Sequence, residues 1–254
     1  MTADDFASAQ DLWQAIRREA ETVASRDPIL GTSLQQSILD HSDLASALAF
    51  QIGQRLGATT EEHARFSRVA SEVFAAAPEL VEAASLDLQG IVKHDPAVTA
   101  LLPPLLNFKG LIALEAWRVS RWLWQRGRRD FALLMQSASS ERLQVSIHPT
   151  ASIGTQVFLD HATGIIVGAL SVIGDEVTIL QNVTIGRGPD NPERAPRIGR
   201  GAYLSSGASI IGDVAIGDFA KIGAGAVVTH DVPAGCTAVG VPARLVNCPE
   251  TVLS

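Results

Sequence analysis

Ile147, Ile153, Leu159 and Ile165 stand six residues apart, Val177 and Val183 continue the count, and Ile198, Leu204, Ile210, Ile216, Ile222 and Val228 resume it. Ser171 is the one polar member of the column. Four places after most of these lies a small or short residue, among them Ala151, Thr163, Ala169, Ala202, Ala208, Ala220 and Ala226. A period of six does not match the 3.6 residues of a helical turn, whereas a short strand and a turn repeated every six residues stack aliphatic side chains one above another. The pattern predicts a parallel β-helix. Three hexapeptides form one coil of a triangular prism, with aliphatic residues inside and glycines at corners that need backbone freedom.

One segment breaks the count. Val183 and Ile198 stand fifteen apart, neither six nor twelve, so residues 186–197 contain a loop extruded from the prism. Long excursions from a rigid scaffold usually carry function.

Residues 1–140 have a different texture and read as a helical domain. Leu44, Leu48, Ile52 and Leu56 recur every fourth residue, Phe66, Val69, Ala70, Val73 and Phe74 mark a second apolar face, and Leu80, Val81, Ala84, Leu88, Ile91 and Val92 a third. Helix starts are expected at Thr60 before Glu61 and Glu62, and at Pro78 before Glu79; Asp95-Pro96 and Pro103-Pro104 close segments. A further helix is expected over 109–125, with a break at Gly127 and another over 131–139. The fold class is therefore α+β: a helical domain over 1–140 that builds an oligomer and caps an open coil end, then a β-helix over 141–254.

The net charge of −7 and the lack of a basic cluster beyond Arg126, Arg128 and Arg129 exclude a nucleic-acid surface, which needs concentrated cations. Those arginines read as a solvated helix end. No window of eighteen apolar residues is present and the first thirty residues carry acids, so neither a membrane span nor a signal peptide is expected and the chain reads as cytoplasmic. Cys236 and Cys248 lack CxxC spacing; neither a disulfide nor a zinc site is indicated.

Three histidines fall in the repeat half: His148, His161 and His230. A prism carbonic anhydrase would need three converging on a metal, and the spacing supplies no close pair, so no metal is expected. His161 is bulky, stands beside Asp160, and occupies a corner where the repeat prefers small residues. It reads as a side chain projecting toward a groove between neighbouring prisms, where an imidazole can take a proton from an acceptor hydroxyl or amine. The opposing reading is a satisfied polar residue at the edge of a core.

The stretches Leu159-Asp-His-Ala-Thr-Gly-Ile-Ile-Val-Gly, Lys221-Ile-Gly-Ala-Gly-Ala-Val-Val and Gly240-Val-Pro-Ala-Arg resemble the serine O-acetyltransferase family, as do Asp95-Pro-Ala-Val and Trp122-Leu-Trp-Gln-Arg-Gly-Arg-Arg in the helical half. The resemblance spans nearly the whole chain. It implies a left-handed β-helix, assembly as a trimer or dimer of trimers, and acetyl transfer from acetyl-CoA to L-serine in cysteine synthesis. His161 is then the general base, while Asp160, Asp95 and Arg194 hold the serine. CoA lies along the groove between prisms, near Ser206, Lys221 and Ala224, with Arg244 toward its phosphates. No cofactor is expected to be bound permanently, acetyl-CoA being a co-substrate.

Three departures stand out. The family has an aspartate that orients the imidazole where this chain has Ser146, which is expected to serve as a weaker partner. In the extruded loop a substrate-contacting histidine of the family is Ala195. The family's long C-terminus for binding O-acetylserine sulfhydrylase is replaced by a tail reaching only Ser254, so that complex is not expected. The first two keep open an acyltransferase with another small hydroxy or amino acceptor, and a non-catalytic scaffold that binds CoA or a partner protein. Retention of Asp95, Asp160, His161 and Arg194 speaks against the scaffold.

Overall fold

The computed structural model describes residues 6–189, 191 and 193–249; Asp190 and Pro192 of the extruded loop and the end of the short tail, 250–254, lie outside the described residues. The first part of the chain is helical: α1 (Ala9–Arg26), α2 (Pro28–Leu34), a π-helical turn (Gln35–Leu39), α3 (Leu44–Leu56), α4 (Thr60–Ala76), α5 (Glu79–His94), α6 (Leu102–Asn107), α7 (Lys109–Gln125) and α8 (Arg129–Leu143). Local chemistry sets several starts. Ser8 accepts from Asp11 N–H, Asp43 and Ser46 form a reciprocal capping box, and Thr59 accepts from Glu62 N–H and so caps α4, which starts at Thr60 as the sequence suggests. No described helix is long and apolar enough to cross a membrane.

From Val145 the chain winds into a left-handed parallel β-helix with three sides. The first side stacks β1 (Val145–Ile147), β4 (Ile165–Val167), β7 (Thr184–Gly186), β10 (Ser209–Ile211) and β13 (Val227–Val228). The second stacks β2 (Ser152–Ile153), β5 (Val172–Ile173), β8 (Arg197–Ile198) and β11 (Ala215–Ile216). The third stacks β3 (Phe158–Leu159), β6 (Thr178–Ile179), β9 (Tyr203–Leu204), β12 (Lys221–Ile222) and β14 (Thr237–Val239), and β15 (Arg244–Val246) folds back antiparallel on β14.

The register corrects the phase of the repeat. Ile147 pairs with Val167, not Ile165, and Val167 pairs with Ile185. The buried column therefore runs Ile147, Ile153, Leu159, Val167, Ile173, Ile179, Ile185 and on to Ile198. Ile165, Ser171, Val177 and Val183 belong instead to a second buried set two residues earlier, alongside Ala151, Ala202 and Ala208. Ser171 is thus not a polar member of the aliphatic column, although its buried hydroxyl finds no hydrogen-bond partner among the described residues. In the true phase Ile185 and Ile198 stand thirteen apart, and the extrusion adds seven residues to a regular hexapeptide.

Helix α7 caps the open first coil, whose edge would otherwise present unpaired backbone groups. Trp117 Nε1 donates to the His148 carbonyl at 3.2 Å, Arg121 to the Ala151 carbonyl, and Arg118 to the Gly154 carbonyl at 2.8 Å. At the other end, Cys236 and Cys248 form a disulfide. That overturns the expectation from their spacing, because the β14–β15 hairpin, invisible to a cysteine count, folds the two cysteines together. The arginines after α7 are not merely solvated: Arg126 stacks 3.7 Å over the Trp122 ring, and Arg128 lies over Phe131.

Candidate active site

The corner from the third side to the first is repeated on four coils. Its ladder is regular: Asn182 N–H donates to the Thr163 carbonyl at 2.8 Å, Gly207 to Gln181 at 2.9 Å, and Gly225 to Ser206 at 2.9 Å. Left-handed backbone falls at Gly164, Asn182, Gly207 and Gly225, with φ of 78°, 61°, 72° and 66°. Thr163, Gln181, Ser206 and Ala224 thus form one column along the prism edge. In this register the first coil has two residues too many, and they are His161 and Ala162.

These two extra residues form a bulge. Both have left-handed backbone, φ 55° and 59°, conformations that L-residues adopt at a cost. Thr163 N–H donates to the His161 carbonyl at 2.8 Å and Ile165 N–H to the Ala162 carbonyl at 3.1 Å. Ala162 is buried, whereas the His161 side chain is 74% exposed. The bulge turns the imidazole out of the prism and holds it there.

The imidazole faces a cavity of about 500 Å³ between the two halves of the chain. Leu159, Asp160 and His161 form one wall; Asp95 and Ala97 after α5, and Asn107 to Gly110 around the start of α7, form the other. Asp160 Oδ1 lies 3.7 Å from His161 Nε2. Asp95 is held by an Asx turn, its Oδ1 accepting from Ala97 N–H at 2.9 Å. A base, two carboxylates and the Lys109 ammonium thus share one space. The arrangement suits an acceptor with a cationic amine and a hydroxyl.

The remaining candidates lie elsewhere. Ser146 sits on β1 and its hydroxyl accepts from Gln136 Nε2 at 3.2 Å; among the described residues no hydrogen bond joins it to His161. Arg194, in the extruded loop, pairs with Asp213 Oδ2 at 3.1 Å, next to Arg197 at 2.8 Å on the other oxygen. The hydrogen bond from Arg197 holds Asp213 below the usual carboxylate value, with Arg194 adding to it. Ala195 is buried. Ser206 and Ala224 lie on the His161 edge, two and three coils below Thr163, or about 10 and 14 Å at the usual strand spacing. Lys221 points outward from β12, three residues before Ala224. Arg244 lines a second cavity of about 280 Å³ with Thr229, His230 and Asp231, which form the next corner, from the first side to the second, while the hairpin turn meets Val227 through Ala243 N–H. Sequence reasoning passed over Lys109, Asn107 and Gln181. A helix start abutting the cavity is a tertiary fact, and Gln181 shows its place only once the column is in phase.

The comparisons with known proteins agree with this geometry. Residues 12–116 match the family model described as serine acetyltransferase, N-terminal, and residues 195–230 match the bacterial transferase hexapeptide (six repeats). The chain is 42% identical over 241 residues to a serine acetyltransferase of Escherichia coli (strain K12), covering 94% of this chain and 88% of that one. A solved serine acetyltransferase in complex with CoA superposes with a TM-score of 0.90 at 38% identity, covering 93% of this chain and 99% of the other. The soybean serine acetyltransferase complexed with serine gives 0.89 at 40% identity, covering 94% and 98%.

Proposed function

The chain belongs to the serine acetyltransferase family, and from that membership we propose that it transfers the acetyl group of acetyl-CoA to the hydroxyl of L-serine, giving O-acetylserine for cysteine synthesis and free CoA. The observation that carries the reading is the bulge that presents His161 to the cavity shared with Asp95 and Asp160.

His161 takes the serine hydroxyl proton as the oxygen attacks the thioester carbonyl, and the tetrahedral oxyanion then expels the CoA thiolate, which recovers the proton from the imidazolium. Asp160 and Asp95 bind the serine ammonium. We assign the orienting contact on the imidazole to Asp160, at 3.7 Å, rather than to Ser146, whose hydroxyl is engaged by Gln136. The long thin co-substrate runs down the prism edge, past Ser206, Lys221 and Ala224, with its phosphates toward Arg244. That places its thioester at the bulge.

The exposed His161 and the exposed loop arginine support an assembly in which prisms stand side by side, as a trimer or dimer of trimers in the cytoplasm. There Arg194 of one copy leaves or shares Asp213 to hold the serine carboxylate in the cavity of the next. A covalent acetyl-enzyme is not invoked, since both cysteines are joined to each other.

The test is release of CoA thiol from acetyl-CoA with L-serine and with a panel of small hydroxy and amino acids. Serine should be turned over, and His161→Ala should lose about 10²- to 10⁴-fold. Turnover with another acceptor and none with serine would overturn the assignment of substrate; full activity in His161→Ala would overturn the mechanism.

A further inference from the structure

The His161 bulge is held by backbone bonds that any sequence could make, with one exception. Lys109 Nζ donates to Thr163 Oγ1 at 2.6 Å, the one side-chain hydrogen bond that reaches residues 160–164 among the described residues. Thr163 closes the bulge and heads the edge column; Lys109 is the first residue of α7 and lines the cavity. Directly behind it Gly110 packs so closely that an added Cβ would stand 3.1 Å from Ala162 Cβ. The start of α7 thus braces the C-terminal side of the bulge, Ala162 by contact and Thr163 by a charged donor.

We propose that Lys109 is a positioning residue for acetyl transfer: by gripping Thr163 it fixes the left-handed bulge, and through it the direction of the His161 imidazole. The inference rests on the acetyltransferase reading above. Two adjacent left-handed residues are not a conformation the chain holds by preference, so an exposed bulge needs an external grip to keep one geometry. A general base displaced by about 1 Å costs on the order of 10²-fold. The grip is dispensable for folding, because Trp117, Arg118 and Arg121 anchor α7 to the first coil independently.

The experiment compares Lys109→Met, Thr163→Val, the double variant and Thr163→Ser in the full chain. Lys109→Met and Thr163→Val should each lower kcat about 10- to 100-fold, with the KM values for serine and acetyl-CoA unchanged. The double variant should be no worse than either single one, since both remove the same contact, and Thr163→Ser should retain activity. Melting temperatures should stay near that of the parent. An unchanged kcat, multiplying effects in the double variant, or a raised KM for serine with kcat kept would each overturn the proposal; the last would make Lys109 a substrate ligand. If Lys109→Met fails to fold, the contrast between Thr163→Val and Thr163→Ser decides. The imidazole proton resonances of His161 give a readout without turnover: one sharp set in the parent and broadened in Lys109→Met supports the grip, and identical spectra refute it. An inactive parent with that broadening would sink the serine reading and leave the grip standing.

Discussion

Arg118 holds Asp87 in the joint between the two halves of the chain: its Nη2 and Nε lie 2.5 and 3.2 Å from Asp87 Oδ2, and the same Nη2 donates to the Gly154 carbonyl at 2.8 Å. Asp87 Oδ1 accepts from Val157 N–H at 3.0 Å, so one buried ion pair ties α5 and α7 to the first coil, four residues before His161. Glu115 is also fully buried, 3.6 Å from Arg118, with no hydrogen bond to either oxygen among the described residues. Burial pushes both carboxyls up, Glu115 well above the usual range, with Asp87 beside it adding to the effect. With two carboxyls against one guanidinium, Glu115 is the one held further above its ordinary value, while Asp87 keeps the direct hydrogen bonds to Arg118.

Removing the charge partner should therefore be severe. Asp87→Asn leaves Arg118 buried without its counter-ion and should cost about 3–5 kcal/mol, read as a drop in denaturation midpoint.

Glu115→Gln should behave in the opposite way. A carboxyl whose folded pKa is raised contributes stability that is full below its unfolded value, 4.5, and declines as pH rises toward the folded value. The parent should lose stability over that window on account of Glu115. In Glu115→Gln this component of the slope should vanish, so denaturation curves of the two proteins should converge at acid pH and diverge at alkaline pH. Parallel curves across the range would show that Glu115 is ionised in the fold.

Gly110→Ala sets two effects against each other. Alanine gains up to about 1 kcal/mol in helix propensity, but its Cβ would stand 2.1 Å from the Leu159 carbonyl and 2.9 Å from Leu159 Cβ. Overpacking of this kind costs about 1–3 kcal/mol, and the obstacle is backbone, which cannot swing aside. The steric effect should win, with a lower melting temperature and a fall in kcat as α7 is pushed off the bulge.

At the far end, β15 is exposed along its length and is paired to β14 and tied by Cys236–Cys248, twelve residues apart. A loop of that size is worth at most about 3 kcal/mol, and it closes a terminal hairpin, not the prism. Reduction, or Cys248→Ser, should leave the main unfolding transition in place while amide exchange at Leu245 and Val246 speeds up. With Arg244 on the loosened strand, KM for acetyl-CoA should rise.

The period-six column made the β-helix legible, because a coil can bury no other residues than those facing inward. Its phase was lost at one point. Ile165 and Val167 are both aliphatic and both buried, so the two-residue slip between Leu159 and Val167 left the count of six apparently unbroken. The slip then placed Ser171 in the wrong column and made the loop look longer than it is. His161 and Asp160 were legible as chemistry, since a bulky base at a small-residue corner is anomalous whatever the phase. Lys109 was not, because nothing in a helix start says which corner it will abut. Nor did the sequence show that Arg194 would meet Asp213, nineteen residues away, across a coil.

If His161 and Ala162 are an insertion into an otherwise regular corner, their removal should restore the regular corner. Deleting both joins Asp160 to Thr163 and Gly164, matching Leu180, Gln181 and Asn182 one coil below, with the single left-handed residue falling on glycine. The deletion relieves two left-handed non-glycine residues, each costing about 1–3 kcal/mol, and gives up the packing of one buried alanine against α7, a small loss by comparison. The shortened protein should therefore fold at least as well as the parent, keep its circular dichroism and melt no lower, yet transfer no acetyl group even though the edge proposed to carry CoA is intact. Retained binding of CoA by calorimetry, with turnover abolished, is the expected pair of results. A deletion that unfolds the chain would mean that the bulge is part of the structural frame, and that the strain at His161 is not stored for catalysis.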